Sequence, residues 1–101
     1  MKNFRTYLIS VAFYREATTL PLASPLKNQF KRAALSVPLN LAEGYGRVSK
    51  ADQKRFYRIS LGSARECQAL LHLAGQDDSL AFRLLDQTAA SIYKLIQAIR
   101  G

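Results

Sequence analysis

Only one cysteine, Cys67, occurs in the 101 residues, so no internal disulfide can form and nothing requires an oxidising compartment. Histidine is as scarce. The lone His72 stands five positions from Cys67, which on a helix points the two side chains in different directions; they form neither a metal pair nor a nucleophile and base couple. No apolar run approaches the roughly 20 residues that span a bilayer, which excludes a membrane-spanning helix. The stretch from Tyr7 to Tyr14 behind Lys2 and Arg5 has the outline of a secretory leader, yet it lacks a small-residue cleavage site and runs on into Arg15 and Glu16. The cytoplasm is therefore the expected compartment. Internal repeats, linkers and low-complexity tracts are missing too. With 49% hydrophobic residues the chain reads as one folded domain over residues 1–101, large enough for a modest core and small enough that association with its own copies would help.

Four helical segments and almost no strand signal run along the chain. In the first, Phe4, Tyr7 or Leu8, Val11 and Tyr14 recur at three- and four-residue intervals and are expected to face inward, ending before Pro21. The second opens at Ser24 and Pro25, an N-cap followed by proline at the first helical position, and turns Leu26, Phe30, Ala33 or Ala34, Val37 and Leu41 inward. Pro38 lies inside this helix and removes one backbone hydrogen bond, which predicts a kink near Ala34; two short helices joined at Val37 are the alternative. Gly44 and Gly46 are expected to close the segment. Ser49 to Asp52 reads as the capped start of a third helix, with Phe56, Ile59 or Ser60, Ser63, Cys67, Leu70 or Leu71 and Ala74 inward and Gly75 as its stop. Asp77 or Asp78 caps the fourth, in which Leu80, Leu84, Thr88, Ile92, Leu95 and Ile99 recur in near-heptad order. Short loops let these rows share one core. The expected fold is an all-α, antiparallel up-and-down four-helix bundle whose second helix is kinked at Pro38. Gly62, among the small residues Ser60, Ser63 and Ala64, marks an expected point of close helix approach.

Acidic residues are few: seven Asp and Glu against fifteen Lys and Arg leave a formal charge of +8. Such a balance is the footprint of a protein that meets polyanions. Between Arg47 and Arg65 lie Arg47, Lys50, Lys54, Arg55, Arg58 and Arg65, opposed in acid by Asp52 and followed by Glu66, while the second helix adds Lys27, Lys31 and Arg32. Lys54 and Arg58 are four apart, as are Lys27 and Lys31, so each pair projects from one helical face and can track a phosphate backbone. Tyr45 and Tyr57 are candidate stacking surfaces for unpaired bases. The bland counterparts are a solvated basic face and tyrosines packed against the bundle. No zinc-finger spacing, ribonucleoprotein motif or basic zipper is present, so any nucleic acid would be held by shape and phosphate.

Enzymatic signals are weak, and no cofactor or metal is expected. Glu43 and Glu66 resemble half of a di-iron carboxylate set, but the Glu-x-x-His motif that supplies the other ligands is missing. Gly44, Gly46 and Ser49 imitate part of a dinucleotide-binding turn with no strand before it and no third glycine.

The most specific stretch is Ser36-Val37-Pro38-Leu39-Asn40-Leu41-Ala42-Glu43-Gly44-Tyr45-Gly46-Arg47. Helical spacing puts Ser36, Asn40 and Glu43 on one face, and polar groups turned toward a core must be paired or serve a partner. Ser63 and Glu66 on the third helix join this polar set; packed antiparallel about the Gly44 to Ser49 turn, the second and third helices would set Asn40 and Glu43 beside residues of the third helix, with Arg47, Arg55 or a backbone donor satisfying them. Both a structural and a ligand-facing use of this network stay open. Extended upstream through Gln29 to Ala34 and joined by a second block, Arg55 to Glu66, the stretch resembles the signature of the bacterial four-helix bundle proteins encoded by 23S ribosomal RNA intervening sequences; accessory proteins of diversity-generating retroelements share the fold. The likeness covers roughly residues 29 to 75. It implies a homo-oligomer, with a ring of five preferred, that presents basic surface to RNA or DNA. An adaptor that docks a partner enzyme such as a reverse transcriptase is the alternative it implies.

Overall fold

In the computed structural model, which describes residues 2–100, each helix begins and ends for a local reason. Helix α1 runs Lys2–Ala17, α2 Leu26–Tyr45, α3 Lys50–Leu73 and α4 Leu80–Ala98, with no strand among the described residues. The Ser49 side chain accepts the Asp52 amide at 3.1 Å and so caps α3, as its hydroxyl and the acid three residues on led us to expect. Its far end closes through Gly75 at φ +71, where the Gln76 amide reaches Leu71 O and the Gly75 amide reaches His72 O. Only a residue without a Cβ takes that left-handed turn cheaply.

Three expected boundaries move. Ser24 does not cap α2: Pro25 occupies the cap position without a side-chain bond, and the Lys27 amide is taken by Ala23 O at 2.8 Å. Neither Asp77 nor Asp78 caps α4. Ser79 does, accepting the Phe82 amide, while the Asp77 carboxylate is engaged by His72 at 2.6 Å. Gly44 is a buried helical residue rather than a terminator, and Gly46 closes α2 in right-handed geometry at φ −82. Helix α2 is unbroken through Pro38, so the chain does not divide into two short helices at Val37.

The helices pack in cyclic order. Helix α1 lies against α2 and α4, α3 lies against α2 and α4, and the diagonal pairs do not approach, giving an up-and-down bundle of 42 × 20 × 18 Å. At its centre Phe13, Phe30, Val37, Tyr57, Leu71, Leu85 and Ile92 are almost wholly shielded, and the Phe13 and Phe30 rings meet edge to face. The α2 row is close to expectation, α3 keeps Ser60, Cys67 and Leu71 and α4 keeps Thr88 and Ile92 of their expected rows, and the remaining positions, with all of α1, shift by about one residue. In α1 the buried row is Thr6, Ser10, Phe13 and Ala17, leaving Phe4 and Leu8 exposed. Two hydroxyls can sit inside because both are satisfied, Thr6 with the Ser91 hydroxyl and Ser10 on Tyr7 O. In α3 Tyr57 replaces Phe56 in the core, and in α4 Ala81, Leu85, Ala89 and Ile96 point in, with Leu80 exposed. Among the described residues no helix is long and apolar enough to cross a membrane.

The point of close helix approach is Gly44, not Gly62. A Cβ on Gly44 would stand 2.7 Å from Tyr57 Cε1 and 3.1 Å from Phe56 Cβ, while one on Gly62 would meet nothing within 4 Å. Helix α2 thus rests backbone-first on α3 residues in the middle of the basic segment.

Candidate nucleic-acid interface

Because α3 is regular from Lys50 onward, the spacing of Lys50, Lys54, Arg58 and Arg65 becomes geometry. At about 100° per residue these four lie within roughly 80° of arc, along about 22 Å of helix axis. Lys50, Arg58 and Arg65 are exposed and Lys54 is half-buried. No acid pairs with any of the four among the described residues. The row therefore presents unneutralised charge with a pitch set by the helix.

Arg47 and Arg55 are used differently. Their guanidinium groups stand 4.6 and 4.4 Å from the Phe56 ring centroid and share its π surface. Arg47 also bonds Glu43 at 2.8 Å, and Arg55 lies 3.8 Å from Asp52. All four charged side chains are solvent-exposed, so these pairs position the turn more than they stabilise the fold. Lys27, Lys31 and Arg32 are exposed on α2, but Lys27 and Lys31 lie about 200° round that helix from Gln29, the residue that reaches α3, whereas Arg32 lies about 60° from Gln29, on the side nearer α3. The nine cations therefore do not make one patch: the α3 row with its Phe56 clamp is one group and Lys27 with Lys31 on α2 another, with Arg32 between them.

The polar network is real in part. Ser36 and Ser63 hydroxyls join α2 to α3 at 2.7 Å, and the Asn40 amide donates to both the Ser36 hydroxyl and the Ser36 carbonyl at 2.9 Å. Ser60 adds a buried bond to Val37 O at 2.8 Å. Glu66 is outside that chain of bonds, accepting instead from Gln29 at 2.7 Å, and Glu43 is an exposed partner of Arg47 rather than a core-facing acid. These bonds fix the α2 and α3 register and leave the two glutamates at opposite ends of α2. Among the described residues no three His, Cys, Asp or Glu side chains gather into a possible metal site.

Tyr57 is 1% exposed and belongs to the core, which removes it as a stacking surface; Tyr45 stays partly exposed at the α2 end. What the sequence pattern missed lies on α4. An open groove between α3 and α4 is lined by Arg65, Gln68, Asp86, Ala90, Tyr93 and Lys94, and a second groove between α1 and α4 by Arg5, Thr6, Gln87, Ser91 and Lys94. The available signal was an aromatic residue in the outward row of α4, beside a lysine.

Cys67 is fully shielded, and burial, with a smaller contribution from the Glu66 charge, pushes its thiol up to about 12. A neutral, enclosed thiol is a packing group and not a nucleophile. Since the folded chain holds that proton more tightly than the unfolded one, this contribution to stability is complete below about pH 9 and is lost as the pH rises toward 12. The difference in unfolding free energy between wild type and Cys67→Ala should fall by about 1.4 kcal/mol per pH unit in that window. Urea melts at pH 8 and 10 measure it, and parallel pH profiles for the two proteins would refute it.

The family model described as 23S rRNA-intervening sequence protein matches residues 5–101. No curated protein gives a significant match.

Proposed function

The chain belongs to the 23S rRNA-intervening sequence protein family, and we propose that it is a non-enzymatic, oligomeric bundle that binds RNA or DNA by recognising phosphate and shape. The observation that carries this reading is the row Lys50, Lys54, Arg58 and Arg65, a rigid array of acid-free cations on one helix. A helix presents such charges at fixed pitch with little ordering left to do on binding, while offering no side-chain set that reads base edges in a groove. The enclosed Cys67 and the dispersed glutamates supply no reacting group, which favours a binding role.

Assembly into a ring of copies, with five preferred from the family resemblance, fits the same architecture. Phe4 and Leu8 on α1 and Leu35 and Leu39 on α2 are exposed, and the Phe13 to Phe30 contact sets the antiparallel register that brings the two pairs level. A protein of this size gains by covering such a strip with another copy.

Four phosphate contacts per protomer predict a slope of log affinity against log salt near −3.6 on duplex, hence a loss of about a hundredfold between 50 and 200 mM salt. Fluorescence anisotropy on a labelled RNA duplex, with light scattering of the free and bound protein, measures affinity and mass together. An affinity indifferent to salt overturns phosphate recognition; a monomeric mass overturns the ring.

A further inference from the structure

We infer that the groove between α3 and α4 seats an unpaired nucleobase, with Tyr93 as the stacking ring and Arg65 and Lys94 holding the flanking phosphates. This rests on the reading of the chain as a nucleic-acid binder and adds to its phosphate row a separate seat for single-stranded or looped substrate.

Three observations meet in the groove. Tyr93 is 51% exposed, making it the most exposed tyrosine whose ring opens onto a concavity, and that concavity measures about 450 Å³. Space of this order accommodates a base and its sugar. Arg65 faces the groove from α3 and Lys94 from α4, so cations stand on both walls. Neither is paired with an acid among the described residues. Ala90 keeps the α4 side low beside the ring, and it is shared with the neighbouring α1 and α4 groove, where Arg5 adds a further cation and no carboxylate lines the wall. A strand leaving the base seat can therefore continue over α4 past Lys94 toward Arg5.

The one acid lining the groove stands away from the base seat. Asp86 accepts the Gln68 amide at 2.8 Å, and it lies seven residues, or about 11 Å along α4, from Tyr93. Its charge keeps phosphate from that end. Polarity along the groove thus favours the Tyr93 end, beside Lys94, for a phosphate-bearing strand.

Stacking on one aromatic side chain contributes about 1–3 kcal/mol per base, which corresponds to roughly a five- to hundredfold change in affinity. The test compares an unstructured RNA of about 12 nucleotides with a duplex of the same sequence, each fluorescein-labelled, binding to wild type, Tyr93→Ala and Tyr93→Phe. Tyr93→Ala is expected to lose at least about fivefold in single-strand affinity with duplex affinity unchanged, and Tyr93→Phe to stay within about twofold of wild type. With five tyrosines and no tryptophan, intrinsic fluorescence reports stacking directly, and its quenching by the single strand should shrink in Tyr93→Ala. Equal losses on both probes, or no loss on either, overturn the base seat while leaving phosphate binding intact. Failure of wild type to bind any probe overturns both readings at once.

Discussion

Gly44→Ala should melt below wild type and Gly62→Ala above it, though both exchanges replace glycine by the best helix former inside a helix. Propensity alone favours each variant by about 1 kcal/mol. At Gly62 nothing lies within 4 Å of the new methyl group, so the gain is kept. At Gly44 the methyl would arrive 2.7 Å from Tyr57 Cε1 and 2.9 Å from Cδ1, inside contact distance of a ring that is only 1% exposed. The Tyr57 ring has no open side to yield toward, and the helices must part. Overpacking of this type costs about 1–3 kcal/mol, more than propensity returns. The two variants should therefore differ by about 2 kcal/mol, or roughly 8–16 °C in Tm for a domain of this size. Thermal melts followed by circular dichroism decide it. Two variants that shift in the same direction would show that α2 and α3 do not meet backbone-first at Gly44, and would detach the basic segment from the support assigned to it here.

That sign reversal also shows what a sequence can and cannot display. Gly62 has small neighbours in the chain, and Gly44 sits beside Leu41, Ala42, Glu43 and Tyr45; only the packing of α3 reveals that Tyr57 descends on Gly44. The number and order of helices, the Ser49 cap and the Gly75 stop were legible because each is a local bond between near neighbours. The faces were less so. Apolar periodicity places Phe4 and either Tyr7 or Leu8 inside α1, but the buried places go to Thr6 and Ser10, whose hydroxyls find partners in Ser91 and in the preceding turn. In α4 the alanines at 81 and 89 win inward positions from Leu80 because small residues admit neighbouring helices. A small amphipathic helix with apolar residues on two sides has two near-equal choices, and tertiary contacts make the decision.

The candidate site divides along the same line. Ser36, Asn40 and Ser63 do meet, since the turn between α2 and α3 fixes which residues face each other. Glu43 and Glu66 found surface partners because a carboxylate beside Arg47 or Gln29 keeps its hydration as well as a bond. Spacing read along α3 alone put Lys54 and Arg58 on one face; the nearness of Lys94 and Tyr93 requires knowing that α4 lies alongside.

Separating the α3 row from the protein's general positive charge calls for two variants of identical charge. Lys54→Glu, Arg58→Glu and Arg65→Glu together change the formal charge from +8 to +2, three exchanges of −2 each, and Lys27→Glu and Lys31→Glu on α2 with Arg15→Glu on the adjoining α1 do the same away from α3. If attraction to nucleic acid depended only on net charge, both triple variants would weaken equally. The α3 row, however, holds its cations within one arc and free of acids, so the first variant removes three of four counterion-releasing contacts. At 50 mM salt each such contact is worth about 15-fold relative to 1 M, so the expected loss on an RNA duplex is on the order of a thousandfold, with the salt slope falling from about −3.6 to about −0.9. The second variant should keep the wild-type slope and lose far less, through weakened long-range attraction alone. All the exchanged side chains but Lys54 are exposed and Lys54 is half-buried, so both proteins should retain their helical content, which circular dichroism checks before binding is measured. Equal losses in the two variants would replace a geometric interface with a diffuse one, and a greater loss in the second would move the interface to the other flank of the bundle.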